Sequence, residues 1–380
     1  MNIKRRNFIG IGVASAATVG LAACGGDGAG SSGSETADSS RGDSGTSEAG
    51  GRVGVAMPTQ TSERWIADGE AVKSQLEEAG FEVDLQFAND DIPTQSQQID
   101  QMITKGANVL IIAAIDGTAL APQLETAAAQ GIKIISYDRL IRDSANVDFY
   151  VSFDNFKVGV AQGQSLIDGL AAVGAESPAN IELFAGSLDD NNAHFFFDGA
   201  MSLIQPKLDD GSFTIPSGQT SIEQVATLRW QQETAQKRME DLLTSNYGSQ
   251  KVAGVLSAYD GLSRGIITAL QNAGYAVPDM PIVTGQDAEI ASVKLITEDV
   301  QYSTIFKDTR LLAEQAVAAA VTLLEGNEPE ANNTTDYDNG VKVVPSYLLD
   351  VVTVTKDNVQ EALVDSGYWT AEEVESGVAG

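Results

Sequence analysis

Arg64, Trp65, Asp138, Arg139, Asp190, Asn192, Trp230, Asp260, Asp287 and Lys307 carry the most suggestive chemistry in this sequence. They are carboxylates, an amide, cations and two indoles, and none pairs a nucleophile with a base. Such an inventory suits an uncharged polyol. Asp and Asn exchange hydrogen bonds with hydroxyls, Arg and Lys donate to them, and an aromatic ring covers the apolar face of a pyranose. Hydrogen bonds to charged groups contribute about 1.5–3 kcal/mol each against about 0.5–1.5 for neutral pairs, so a few suffice once water is excluded. Each residue also has a plainer reading. Asp138-Arg139 could be a local ion pair, Asp190 a helix N-cap, Asp260 and Asp287 turn residues, and Trp230 a packing or cation–π partner of Arg229. Their shared position, just beyond short apolar runs, favours the common role.

Those runs define the elements that must position the polar groups. Val53–Met57, Val83–Phe87, Val109–Ile112, Ile132–Ser136 and Phe149–Phe153 form one series of candidate strands. Ile181–Phe184, Phe213–Pro216, Val252–Ser257, Ile282–Thr284 and Tyr302–Ile305 form a second. The runs lack the polar alternation of a one-sided sheet, as expected for parallel strands covered on both faces. Helical periodicity separates them, over Glu63–Glu78, Thr94–Lys105, Thr118–Gln130, Phe156–Leu170, Gln232–Leu243 and Asp308–Leu324. Asp308 is available to cap the last of these. A single sheet of so many strands would be very wide, so two α/β domains with a hinge are expected. Open parallel sheets bind ligands beyond the carboxyl ends of their strands. That edge also includes Thr59, Gln60, Asn89, Asp90, Asp91, Asp189, Tyr259 and Gln286.

With 380 residues, 43% of them hydrophobic, and 37 Gly beside 10 Pro, the chain can bury two cores joined by short connections. Its N-terminus reads as a targeting segment: Lys4, Arg5 and Arg6 precede an apolar, small-residue run from Phe8 to Ala23. Arg5-Arg6-Asn7-Phe8-Ile9 resembles a twin-arginine export signal, and Leu21-Ala22-Ala23-Cys24 resembles the lipobox of bacterial lipoproteins. Residues 1–23 are therefore expected to be a signal peptide. Cys24 would be lipidated and anchored in the cell membrane, with residues 24–51 as a flexible Gly/Ser/Asp tether. Cys24 is the only cysteine, so neither an intramolecular disulfide nor a cysteine metal site can form. The formal charge is −30, and loss of Lys4, Arg5 and Arg6 would take it to about −33. Such a chain lacks the basic stripe that nucleic acid requires. No GxxxxGK[ST] loop or Cys/His cluster is present, so no cofactor or metal is expected.

Longer motifs then carry a resemblance. Val53-Gly54-Val55-Ala56-Met57-Pro58-Thr59, Arg64-Trp65, Ser136-Tyr137-Asp138-Arg139-Leu140-Ile141-Arg142 and Ser152-Phe153-Asp154-Asn155 come first. Asp189-Asp190-Asn191-Asn192-Ala193, Thr284-Gly285-Gln286-Asp287-Ala288 and Tyr302-Ser303-Thr304-Ile305-Phe306-Lys307 follow. From about Arg52 onward the chain resembles the multiple-sugar-binding periplasmic receptors, relatives of the xylose- and ribose-binding proteins. The resemblance implies a type I periplasmic-binding-protein fold, with two Rossmann-like lobes joined by a three-crossover hinge that closes on a monosaccharide. The first lobe would comprise 52–153 plus about 308–338, and the second 154–307 plus about 339–380. Arg64, Trp65, Asp138 and Arg139 would bind sugar from the first lobe. Asp190, Asn192, Asp260, Asp287 and Lys307 would bind from the second or the hinge, with Trp230 stacking at the rim. A permease and its ATPase are the implied partners, and the acidic surface suits docking to a membrane sensor protein. Two positions depart from the family pattern, which has lysine at Gln60 and phenylalanine at His194. The former disfavours acidic sugars such as uronates.

Two other functions compete. A glycoside hydrolase would use paired cleft carboxylates, one with a raised pKa. A sugar-responsive repressor would need an N-terminal helix-turn-helix and a basic surface, and the sequence has neither. The anchor is open to direct test: Cys24→Ser should shift the protein from the membrane pellet to the soluble fraction and abolish incorporation of radiolabelled palmitate. Unchanged labelling and sedimentation would refute the lipobox.

Overall fold

The computed structural model describes residues 50–380; Cys24, the twin-arginine stretch and the tether through residue 49 lie outside the described residues. In the first lobe the chain runs through β1 (Arg52–Met57), α1 (Glu63–Glu78), β2 (Glu82–Phe87), α2 (Ile92–Thr104), β3 (Val109–Ile112), α3 (Ala121–Ala129), β4 (Lys133–Tyr137) and β5 (Phe149–Phe153). The second lobe contains α4 (Asn155–Ala172), β6 (Ala179–Phe184), α5 (Asn191–Asp209), β7 (Phe213–Thr214), α6 (Ile222–Val225), α7 (Gln232–Asn246), β8 (Gly254–Ser257), α8 (Asp260–Asn272), β9 (Ile282–Val283), α9 (Ile290–Thr297) and β10 (Ser303–Phe306). The chain returns to the first lobe for α10 (Thr309–Leu324) and β11 (Ser346–Leu349). It ends in the second with β12 (Val352–Thr355) and α11 (Ala371–Ser376).

The first sheet is parallel, in the order β11-β5-β4-β3-β1-β2. Its centre explains the uninterrupted apolar runs: Val109, Leu110, Ile111 and Ile112 are all buried, with helices on both faces. Each such side chain contributes about 1.5–3 kcal/mol on leaving water. At the edge, β2 alternates Glu82, Asp84 and Gln86 with Val83, Leu85 and Phe87, so one row meets solvent. The order reverses between β1 and β3, which places a crevice beyond their carboxyl ends. The second sheet, β7-β6-β8-β9, is also parallel, while β10 pairs antiparallel with β12.

Three crossovers join the lobes. Asp154 starts the first and caps α4 by accepting from Lys157 N, and Asp308 caps α10 by accepting from Arg310 N, as its position in the sequence suggests. The third corrects the expected boundary. It lies between Leu349 and Val352 rather than near residue 339, because β11 pairs with β5 from Ser346↔Tyr150 to Leu349↔Phe153. This four-residue edge strand is half-buried and follows a polar, helix-free stretch, so no long apolar run announces it.

Close helix packing fixes the second lobe against the hinge. A Cβ on Gly159 of α4 would stand 2.1 Å from the Phe196 carbonyl oxygen of α5, and one on Gly199 would stand 2.2 Å from that of Phe156. Helix propensity favours alanine by about 1 kcal/mol, but backbone cannot swing aside as a side chain can. Gly159→Ala should therefore destabilise the protein by about 1–3 kcal/mol, read as a lower melting temperature. An unchanged or higher melting temperature would show that α4 and α5 are free to separate.

Candidate functional site

Between the lobes lies a cavity of about 60 Å³. The first lobe supplies Thr59, Thr61 and Ser62 after β1, Arg64 and Trp65 at the start of α1, Asp90 after β2, and Asp138 and Arg139 after β4. The second lobe supplies Asp190, Asn192 and Phe196 around the start of α5, then Arg229, Trp230, Tyr259, Gln286 and Asp287. Lys307 comes from the second crossover. The cavity thus lies where the strand-end rule places a crevice.

Its electrostatic centre is Arg64, only 4% exposed. Its guanidinium donates to Asp68 at 2.8 Å and to Asp138 at 2.8 Å, and lies 3.6 Å from Asp287 across the cleft. Lys307, 2% exposed, lies 3.0 Å from Asp287 and 3.8 Å from Asp138. Burial opposes the Arg64 charge, but Asp138, Asp68 and Asp287 outweigh it and push its pKa well up. Burial likewise opposes the Asp138 charge, yet Arg64 and Lys307 prevail and hold the carboxyl below its ordinary value. Asp138 also has left-handed backbone, φ 57°. Its carbonyl accepts from Tyr150, Ser152 and the Asn192 amide at 2.6, 2.8 and 2.9 Å, three bonds that offset a strain of about 1–3 kcal/mol.

A second cross-lobe pair joins Arg139 to Asp190 at 3.0 Å. Asp190 also caps α5 through Asn192 N, so its local role and its place in the cavity coexist. Burial pushes its carboxyl up, with Arg139 opposing. Arg64 and Arg139 lie 4.5 and 5.0 Å from the ring centre of Trp65, which therefore steadies both cations as well as walling the cavity. Arg229 and Trp230 have consecutive left-handed φ values of 54° and 55°. Arg229 N donates to Ser187 Oγ at 2.9 Å, and its guanidinium reaches the Asp90 carbonyl of the other lobe at 2.8 Å. The Trp230 ring occupies the space that a Cβ on Gly186 would need, so only glycine admits it there.

A family model, the periplasmic binding protein domain, matches residues 53–328. The chain belongs to the periplasmic-binding-protein family. This binding protein is 54% identical over 326 residues to the multiple sugar-binding periplasmic receptor ChvE of Rhizobium radiobacter, a match covering 85% of this chain and 92% of that one. It is 35% identical over 323 residues to the D-xylose-binding periplasmic protein of Escherichia coli K12, again covering 85% and 92%. Among solved structures it is similar to an ABC transporter solute-binding protein from Clostridium phytofermentans with bound β-D-glucose. That match has a TM-score of 0.82 and 44% identity, and covers 85% of this chain and 99% of the other. The fold is the type I periplasmic-binding-protein fold, and these relatives are binding proteins rather than enzymes.

In this binding protein nine of the expected residues, Arg64, Trp65, Asp138, Arg139, Asp190, Asn192, Trp230, Asp287 and Lys307, meet at the cavity. Asp260 does not. It is fully buried behind the wall, where it accepts from Glu289 N, Gln301 and Thr304 and so braces the turn bearing Asp287. Burial, then the charge of Glu289, pushes its carboxyl well up. Gln60 is exposed and outside the cavity lining, so it does not set the charge preference there. His194 also lies outside the lining, with its ring nitrogen 3.2 Å from the Leu188 carbonyl. Asp90, Tyr259 and Gln286 stand at the strand-end edge in the sequence, where polar turns occur in any fold, while Arg229 follows α6 rather than a strand and is marked in the sequence only as the neighbour of Trp230. Asp68, one helical turn beyond Arg64, was discernible only as an i,i+4 pair.

Asp68 generates a pH prediction. Burial chiefly, against the pull of Arg64, raises its pKa from 3.8 to about 6. The folded protein then holds this proton more tightly than the unfolded chain. The corresponding stability is fully present below 3.8 and lost as pH rises through about 6. In urea titrations across this range, the stability of the wild type relative to Asp68→Asn should fall with rising pH. A difference independent of pH would contradict the raised pKa.

Proposed function

We propose that this chain is the sugar-binding receptor of an ABC-type importer, closing its lobes on a neutral aldose and presenting it to a membrane permease. The observation that carries the reading is the charge balance of the cavity. Arg64, Arg139, Arg229 and Lys307 face Asp90, Asp138, Asp190 and Asp287, so the lining is dense in strong donors and acceptors yet has no net charge. A neutral ligand with many hydroxyls fits such a lining, whereas a uronate or an amine leaves one charge uncompensated. The multiple sugar-binding receptor, the D-xylose-binding protein and the glucose-bound structure support the ligand class. Glucose, galactose, xylose and arabinose are the candidates.

The rest of the proposal concerns location and partners. Lipidation of Cys24 would tether the receptor to the outer face of the cell membrane, with export by the twin-arginine route and residues 24–51 providing reach. The permease with its ATPase, and a membrane sensor docking on the acidic surface, are the proposed partners. Glycoside hydrolysis fits less well. It needs a carboxyl kept protonated opposite a second carboxylate, but Arg64 and Lys307 pull Asp138 the other way, and Asp190, though pushed up by burial, is tied to Arg139 at 3.0 Å and to Asn192 N rather than free to give a proton.

A thermal-shift panel of monosaccharides tests the reading. A sugar at about a hundred times its Kd adds about 2.7 kcal/mol and should raise the melting temperature by several degrees. Asp138→Ala and Asp287→Ala should keep the fold, seen by circular dichroism, and lose the shift. A wild-type protein that responds to no monosaccharide would sink the proposal.

A further inference from the structure

Glu289 ends the turn that carries Asp287, and it is 2% exposed. One carboxylate oxygen accepts from the Tyr259 hydroxyl at 2.6 Å and from the Ser62 hydroxyl at 2.8 Å, while the other accepts from Arg264 at 2.6 Å. Tyr259 and Arg264 belong to the same lobe as Glu289, but Ser62 belongs to the other. The exchange is mutual. Glu63, next to Ser62, accepts from the backbone N–H of Ile290, next to Glu289, at 3.1 Å. Ser62 and Glu289 are the N-caps of α1 and α9, and neither side chain caps its own helix. The start of α9 is thus capped by Glu63 of the opposite lobe, and the Ser62 side chain before α1 donates across to Glu289.

We propose that Ser62, Glu63 and Glu289 form a clasp that sets the affinity for every ligand alike, leaving the choice among ligands to the cavity. The inference rests on the sugar-receptor reading for its ligands, though not for its geometry. Both cross-lobe bonds break when the lobes part, and Glu63 and Glu289 lie outside the cavity lining. A contact made only on closure multiplies the closed population, and apparent affinity scales with that population whichever ligand is bound. The clasp is also self-limiting. Burial and the Glu289 charge oppose ionisation of Glu63, with the Ile290 N–H and then Arg264 offsetting part of this, so closure brings two carboxylates together. Such a contact raises the closed fraction of the sugar-free protein as well, without making closure complete.

Isothermal titration with glucose, galactose, xylose and arabinose, paired with stopped-flow dissociation rates, tests the clasp. Glu63→Ala should weaken every sugar that binds by about three- to tenfold, by the same factor within about twofold and through faster dissociation. Glu63→Gln keeps an acceptor for Ile290 N and removes the repulsion, so it should bind within about twofold of wild type or more tightly. Unchanged affinities for Glu63→Ala, or a loss confined to one sugar, would overturn the clasp. Small-angle X-ray scattering of the sugar-free proteins separates the two proposals. If no sugar binds the wild type, the receptor reading fails; a more open Glu63→Ala then still upholds the clasp, and identical scattering ends it.

Discussion

A charge removed from water must find a counter-charge, and in this protein the counter-charges lie across a gap. Arg64 from the first lobe reaches Asp287 of the second, Arg139 reaches Asp190, and Lys307 at the crossover lies between Asp138 and Asp287. Stripping one partner from a buried pair costs about 3–5 kcal/mol, so these groups are mutually dependent once closed. The same charges are well hydrated when the lobes part, and desolvation cancels much of the Coulombic gain. The ion pairs therefore make closure specific in geometry without making it strongly favourable by itself. A ligand that offers further hydrogen bonds to the same groups decides the balance.

The backbone is arranged to serve this constraint. Asp90, Asp138, Arg229, Trp230 and Asp287 all line the cavity and all have positive φ, a conformation that L-residues avoid. Short turns at the ends of parallel strands must reverse direction at once, and a left-handed residue does so while aiming its side chain into the crevice. The surrounding hydrogen bonds sustain the strain, as the three donors to the Asp138 carbonyl show. Asp260 does equivalent work from behind, holding Glu289 N and Thr304 so that Asp287 keeps its place.

What was legible in the sequence follows from these physical roles. Val109–Ile112 and Phe149–Phe153 could be read as strands because burial on both faces leaves no polar alternation, and the residues after such runs pointed to the cleft. Asp260 occupied the same kind of position yet faces inward, since strand ends specify a neighbourhood and not the direction of each side chain. Ser62 and Glu289 lie 227 residues apart, and their contact exists only because three crossovers bring the lobes together. The β11 segment was missed for a similar reason: Ser346–Leu349 becomes a strand by joining an edge already built by β5. Gln60, singled out for its chemistry, lies exposed beyond the lining, and the balance among Arg229, Asp90 and their neighbours does the work assigned to it.

The interleaved path of the chain carries a consequence for biogenesis. The first sheet lacks its outer strand until residue 349 has been made, and β10 of the second lobe, bridged on one side to Gln286, lacks its antiparallel partner until residues 352–355 follow. Both lobes therefore wait for nearly the same moment of synthesis, and neither can be cut out as an unbroken stretch of chain. A nascent chain halted in the second lobe would display an open sheet edge, the kind of surface to which other chains add themselves. The joint that lets the two halves move in the finished protein also binds them into a single folding event.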